Sequence, residues 1–268
     1  VATAWLLYGV LQIAVLVLLI GPLQRLWPVE AVTDKAAIRV DIVYTLLHRL
    51  GVFKLFMFFT FENWLEQGLG VLRAHGMPTL HIDQAWLGVP DGPLVSFLIY
   101  LVVFDFVAWA MHWAQHRLDW WWRLHAVHHS QRQMTMWSDN RNHLLDSVLT
   151  DLIVVVLALL IGVGPSQFIL LTVVSQLLES LQHANLRWRF GEVGERLLVS
   201  PSFHRRHHAV WLGHQPHDSA AALAQAGQAA FEHESTQYGV AAADIQAAGP
   251  AYPFGANFGV LFPWWDML

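Results

Sequence analysis

Cysteine is absent from the 268 residues. The chain therefore carries no disulfide, iron–sulfur cluster, thiolate-ligated haem or cysteine nucleophile of its own. Charge is also scarce. Asp, Glu, Lys and Arg make up 13% of the residues, where a soluble domain carries about 25%. With 55% hydrophobic residues and a mean hydropathy of +0.40, the composition points to a membrane. There is no basic excess either. A net charge of −5 leaves no electrostatic footprint for nucleic acid, and no such partner is expected. Two metal-site patterns are missing: the His-Glu-x-x-His of zinc hydrolases and the Glu-x-x-His of soluble di-iron bundles.

What the chain has in excess is histidine and tryptophan. The 16 histidines outnumber Lys plus Arg, at 15, and there are 14 Trp. Tryptophan gathers at membrane–water interfaces.

The apolar runs give the topology. Residues 1–24 contain no charge, and a bilayer core takes about 20 apolar residues. Lacking a basic leader region and a small-x-small cleavage pattern, this run reads as a span rather than a signal peptide. Residues 41–61 are a second apolar stretch, interrupted by His48, Arg49 and Lys54, and read as a tilted or partly interfacial helix. Residues 62–92 read as a loop with a short amphipathic helix. Residues 93–111 form a further span broken by Asp105 alone. The uncharged run 152–178 has Gly162-Val163-Gly164-Pro165 near its middle, and Gly with Pro marks a turn. Residues 147–161 and 166–181 are therefore expected to form a helical hairpin.

The fold class expected is an all-α integral membrane protein of about four spans, including that hairpin. Arg117, Arg123, Arg132 and Arg141 follow one span, and Arg187, Arg189, Arg196, Arg205 and Arg206 follow the hairpin. Positive residues favour the cytoplasmic side. Residues 112–146 and 183–214 should then face each other there as a histidine-rich helical cap. The chain reads as a single membrane domain over 1–268: N-terminal spans (1–111), a first histidine region (112–146), the hairpin (147–182) and a second histidine region (183–214). A flexible insertion (215–250), with His217 and His233 as surface residues beside His214, and a closing segment (251–268) follow.

Four histidine groups flank the membrane exits. His112 and His116 are four apart and share one face of a helix. His125, His128 and His129 form a His-x-x-His-His unit, and His204, His207 and His208 repeat it. His183 stands alone, with Glu179 one turn earlier. Ionisable groups at membrane depth are costly, which favours a function for them. One tetrahedral zinc takes three or four ligands, so nine histidines suit two ions. Imidazole accepts Zn, Cu, Fe and Ni, and ligand type alone does not choose among them. Metal-bound histidines usually give their other N–H to a carboxylate, carbonyl or water. Candidates near these ligands are Asp105, Asp119, His143, Asp146, Glu179, Asn185 and Asn257. Trp120, Trp121 and Trp122 are consecutive and read as an interfacial anchor.

Together these motifs resemble the fatty acid hydroxylase / sterol desaturase superfamily. The resemblance rests on Asp105-Phe-Val-Ala-Trp-Ala-Met-His112-Trp-Ala-Gln-His116, on Trp122-Arg-Leu-His125-Ala-Val-His128-His129, on His183-Ala-Asn185 and on Ser200-Pro-Ser-Phe-His204-Arg-Arg-His207-His208. The closing Asn257-Phe-Gly259 and Pro263-Trp264-Trp265-Asp266 are also similar. It implies a dimetal site of two iron ions held by His112, His116, His125, His128, His129, His183, His204, His207 and His208. It also implies O2 as co-substrate, a bilayer lipid that is hydroxylated or desaturated, and electrons from a separate donor. Zinc is expected as a substitute in purified protein.

The chain departs from the family pattern in three places. The position of Glu179 can carry histidine in relatives, so Glu179 is a ligand, a partner of a ligand, or neither. His143 lies where relatives often read Arg-x-His-Pro-x-Glu. The family pattern continues with Phe-Gly-Thr where this sequence stops, which makes truncation an expectation. A bacterial inner membrane with a cytoplasmic site is the expected location. Two other classes compete: a zinc-loaded hydrolase or isomerase on the same scaffold, and a metal-binding transporter or sensor without catalysis. A transporter would hold its ligands in mid-span.

Overall fold

The computed structural model describes residues 2–84, 92–208 and 257–268. Among the described residues it is helical, without strands. The proposed insertion at 215–250 and His214, His217 and His233 lie outside the described residues.

Helix α1 starts as Ala2–Val15, passes through a π turn at Leu16–Ile20 and ends as Gly21–Leu26. The π turn has a local cause. Pro22 has no N–H and its ring crowds the carbonyl four residues earlier, and the Gly21 N–H reaches back five residues to Leu16. Asp34 caps α2 (Lys35–Arg49) by accepting from the Ala37 N–H at 3.0 Å. Gly51, at φ +83°, turns the chain by 50° into α3 (Val52–Met57, a π turn at Phe58–Glu62, then Asn63–Ala74). The short amphipathic helix expected within 62–92 is Asn63–Ala74, with polar residues on one face, and it continues the preceding helix through the π turn instead of standing apart in a loop.

Helix α4 (Pro93–Arg117) runs for 25 residues without a break, and α5 (Asp119–His125) follows after one extended residue, Leu118. The expected hairpin is α6 (Leu144–Ile161) and α7 (Pro165–His183), joined through Gly162 at φ +78°. A Cβ there would come within 2.5 Å of His81 Nδ1, so glycine is required for both shape and space. Two short helices, α8 (Gly191–Leu197) and α9 (Pro201–His207), complete the cap.

Among the described residues three helices (Trp5–Leu26, α4 and α6) are long and apolar enough to cross a membrane, and the bent pair α2–α3 reaches that length and hydropathy only when taken together, as a broken span or a re-entrant loop. Their outer faces expose large apolar side chains such as Leu18, Phe59 and Leu94, as lipid-facing helices do. Helix α7 carries more polar residues and sits inward.

Polar contacts hold the bundle together. Arg49 is fully buried and donates to Asp139 Oδ2 at 2.6 Å, to Ser180 Oγ at 2.8 Å and to the Gln176 carbonyl at 2.9 Å. Gln176 Oε1 also accepts from Gln12 of α1 at 3.1 Å. The residue that interrupts the second apolar stretch is thus the hub joining α1, α2 and α7. Gly9 lets α1 approach this hub, because a Cβ there would lie 1.7 Å from the Arg49 carbonyl oxygen.

Candidate metal centre

Chain reversal brings the first histidines together. His112 and His116 lie on the last two turns of α4, His125 ends α5, and His128 and His129 fall in the 3₁₀ turn His128–Ser130. From the other side, α7 delivers His183 at its last residue, and α9 delivers His204 and His207, with His208 as its C-cap. The Ser200 side chain caps α9, accepting from the Phe203 N–H at 3.1 Å, while Pro201 opens its first turn. Both choices suit a helix start.

The nine histidines meet in two adjoining groups: His112, His116, His125, His129 and His207 in one, and His128, His183, His204 and His208 in the other. Within each group, one ring nitrogen from every residue lies within 4.8 Å of the rest. The groups touch, with His129 and His208 ring centroids 4.4 Å apart. In the second group the Nε2 atoms converge: His183 to His128 at 3.2 Å, His183 to His204 at 3.0 Å, and His204 to His208 at 3.1 Å. Nitrogens sharing one ion at a bond length of about 2.1 Å stand about 3 Å apart, so this donor set fits a metal. No carboxylate belongs to either group among the described residues.

The opposite ring edges are tied down. His125 Nδ1 faces Asp146 Oδ2 at 3.2 Å, His112 Nδ1 faces the Phe258 carbonyl at 3.0 Å, and His183 Nδ1 faces the Glu179 carbonyl at 2.8 Å. Each contact fixes a tautomer whose Nε2 carries the lone pair. His125 Nε2 is buried and has no hydrogen-bond partner among the described residues. A buried lone pair left this way is costly unless something binds it. Burial, and then the neighbouring imidazoles, hold the pKa values of His128, His204 and His208 well below the usual histidine range. These three rings are therefore neutral at physiological pH and can act as donors.

The candidate residues around the groups divide clearly. Asp146 sits against the first group and also accepts from Gln115 and from the Trp121 indole, both at 2.8 Å. Asp105 makes no hydrogen bond to a histidine among the described residues. It accepts from the Leu261 and Phe262 N–H groups at 2.7 and 3.2 Å and from the Trp265 indole at 2.8 Å, so it docks the closing segment onto α4. Asn185 accepts from the N–H groups of Val29 and Glu30 at 3.0 and 3.2 Å and pins the loop after α1. Asn257, in the left-handed region at φ +63°, donates to the Phe203 carbonyl at 3.3 Å, one residue before His204. His143 is exposed and caps α6 through Nδ1, and Asp119 is exposed. Glu179 gives its backbone carbonyl to His183, while its side chain lines a separate cavity.

Several contributors have no signature in the sequence. Gln115 and Trp121 brace Asp146. Trp122 lies against His116 and His129, at centroid distances of 5.0 and 5.4 Å. The three consecutive tryptophans thus split their roles, and of the three Trp120 alone is exposed, at 55%. The Phe258 carbonyl could not be foreseen from residue types at all.

No curated protein and no solved structure matches the chain. Residues 97–219, the stretch that carries all nine histidines, match the model of the fatty acid hydroxylase family, and for that stretch the resemblance drawn from the histidine spacings holds.

Proposed function

We propose that this chain is a membrane-bound non-haem di-iron oxidoreductase that uses O2 to hydroxylate or desaturate a C–H bond of a lipid. The observation that carries the reading is the convergence of nine histidines into two touching groups at the ends of apolar helices. The family match supports lipid hydroxylation of the oxidoreductase type.

In this reading His112, His116, His125, His129 and His207 hold one ion, and His128, His183, His204 and His208 hold the other. Iron bound there supplies the redox chemistry with dioxygen that zinc lacks. The chain's own groups do the rest. Asp146 and the carbonyls of Phe258 and Glu179 keep the Nδ1–H tautomers, so the Nε2 atoms stay oriented and basic. Trp122 and Phe258 close apolar surface over the first group, with Phe258 5.1 Å from His116, and limit water there. The lipid approaches from the bilayer, because the groups stand at the mouths of apolar helices. A separate protein supplies electrons. The arginine-rich flanks favour a cytoplasmic site, with a bacterial inner membrane as the setting.

A zinc hydrolase on this scaffold would need a carboxylate base beside the ion, and neither histidine group includes one among the described residues. Elemental mass spectrometry of gently purified protein tests the proposal, with His207→Ala as control. Close to two irons per chain, fewer in the control, together with lipid-dependent oxygen uptake, is the expected result. Absence of stoichiometric metal, or metal without oxygen uptake after iron reconstitution, overturns it.

A further inference from the structure

Directly on the membrane side of the histidines lies a cavity of about 250 Å³ bounded by α2, α3, α4, α6 and α7. Helix rise sets its distance from the centre. Glu179 lines it four residues before His183, and Ala108 four residues before His112, which is about 6 Å along each helix. Ser147, another lining residue, follows Asp146 directly. The cavity is smaller than a pocket that encloses a whole drug-sized ligand, about 300–1,000 Å³, so it suits one end of a longer molecule.

The lining is divided in character. Phe53, Phe104, Val154, Phe168 and Leu171 supply apolar walls, as a lipid chain requires. Set among them are polar side chains that the protein does not satisfy. The His48 ring, the Ser147 and Ser175 hydroxyls and the Glu179 carboxyl line the cavity and make no side-chain hydrogen bond among the described residues. By contrast, the neighbouring Thr150 and Thr172 hydroxyls are bonded back to their own helices at 2.9 Å. Sealing the unsatisfied groups under a plain hydrocarbon tail would leave them desolvated without compensation. A ligand with its own hydrogen-bonding group would satisfy them. The charge pattern decides which group. Among the described residues the lining holds a single cation, Lys54, and Asp151 already pairs with it. A carboxylate entering here would meet Glu179, Asp139 and Asp151 with no free positive partner.

We propose that this cavity receives the oxygen-bearing end of the substrate, and that the substrate is an uncharged lipid carrying a hydroxyl group rather than a free fatty acid. Calling the ligand a substrate rests on the lipid-oxidising reading above; the binding preference itself does not.

The test is equilibrium binding to the purified full-length chain in neutral detergent. The probes are a radiolabelled long-chain primary alcohol, the carboxylic acid of the same length and the parent alkane. The alcohol should bind at least ~10-fold more tightly than the other two, as a site built to pair a hydroxyl discriminates against analogues without one. Ser175→Ala and Glu179→Leu should weaken alcohol binding and narrow that gap, with metal content unchanged as the check on folding. Chelator-treated protein should keep the preference, so that failure of the di-iron reading leaves this result readable. Equal binding of acid and alcohol overturns the proposal, as does a preference untouched by both substitutions. Binding of no probe, or loss of the preference on metal removal, overturns it as well.

Discussion

The two histidine groups are built differently. The first is mostly local: four of its five members fall within residues 112–129, and its carboxylate brace among the described residues is Asp146, shared by His125, Gln115 and Trp121. The second draws on residues 128 to 208 and includes no carboxylate among the described residues. Its rigidity comes through α7, which the Arg49–Asp139–Ser180 network locks to α2 just before His183. The first group is braced by a side-chain carboxylate as well as a backbone carbonyl, the second by a backbone carbonyl and the placement of a whole helix. Changes that act on single contacts should therefore separate them.

The largest expected effects come from removing one donor from each. His207→Ala and His204→Ala should each abolish lipid-dependent oxygen uptake and lower the iron content measured by elemental mass spectrometry. Full iron with either substitution would remove that residue from the donor set. Next in size is Arg49→Ala. It strands the buried Asp139, and breaking a buried pair costs about 3–5 kcal/mol. Thermal unfolding should drop sharply, and the second group should lose iron before the first. Asp146→Asn is milder, with an expected loss of about 10–100-fold in metal affinity, confined to the first group. Equal loss from both groups, read by iron spectroscopy, would show that the two groups are not held separately.

The smallest effect is a pH dependence. In metal-stripped protein, His128, His204 and His208 stay neutral because burial lowers their pKa values. The unfolded chain instead binds protons as pH falls through about 6.5. It then holds more protons than the folded state, so stability is full above that pH and declines below it. A melting temperature that is flat between about pH 7.5 and 5.5 would contradict this sign.

Much of this centre was legible before the fold. Spacing alone put His112 with His116 and repeated the His-x-x-His-His unit, since a helical turn fixes which residues share a face. Gly162 and Pro165 announced the hairpin. What escaped was every contact between distant segments. Arg49 looked like an interruption because Asp139 is 90 residues away. Asp105 looked like a histidine partner because it lies two turns before His112, yet it serves backbone donors about 156 residues later. Periodicity reports a face and a direction but is silent on which loop will close over it.

That loop bears on how the protein is made. Residues 257–268 supply the Phe258 carbonyl to His112, and they are clipped in place by Asp105, by Asp266 and by Gln182, which donates to the Val260 carbonyl at 2.7 Å. A ribosome delivers this segment after all nine histidines. A nascent chain that has reached residue 208 thus owns all nine imidazoles of the two groups but lacks the group that orients His112, and the first histidine group reaches its final form only once synthesis has run well past it.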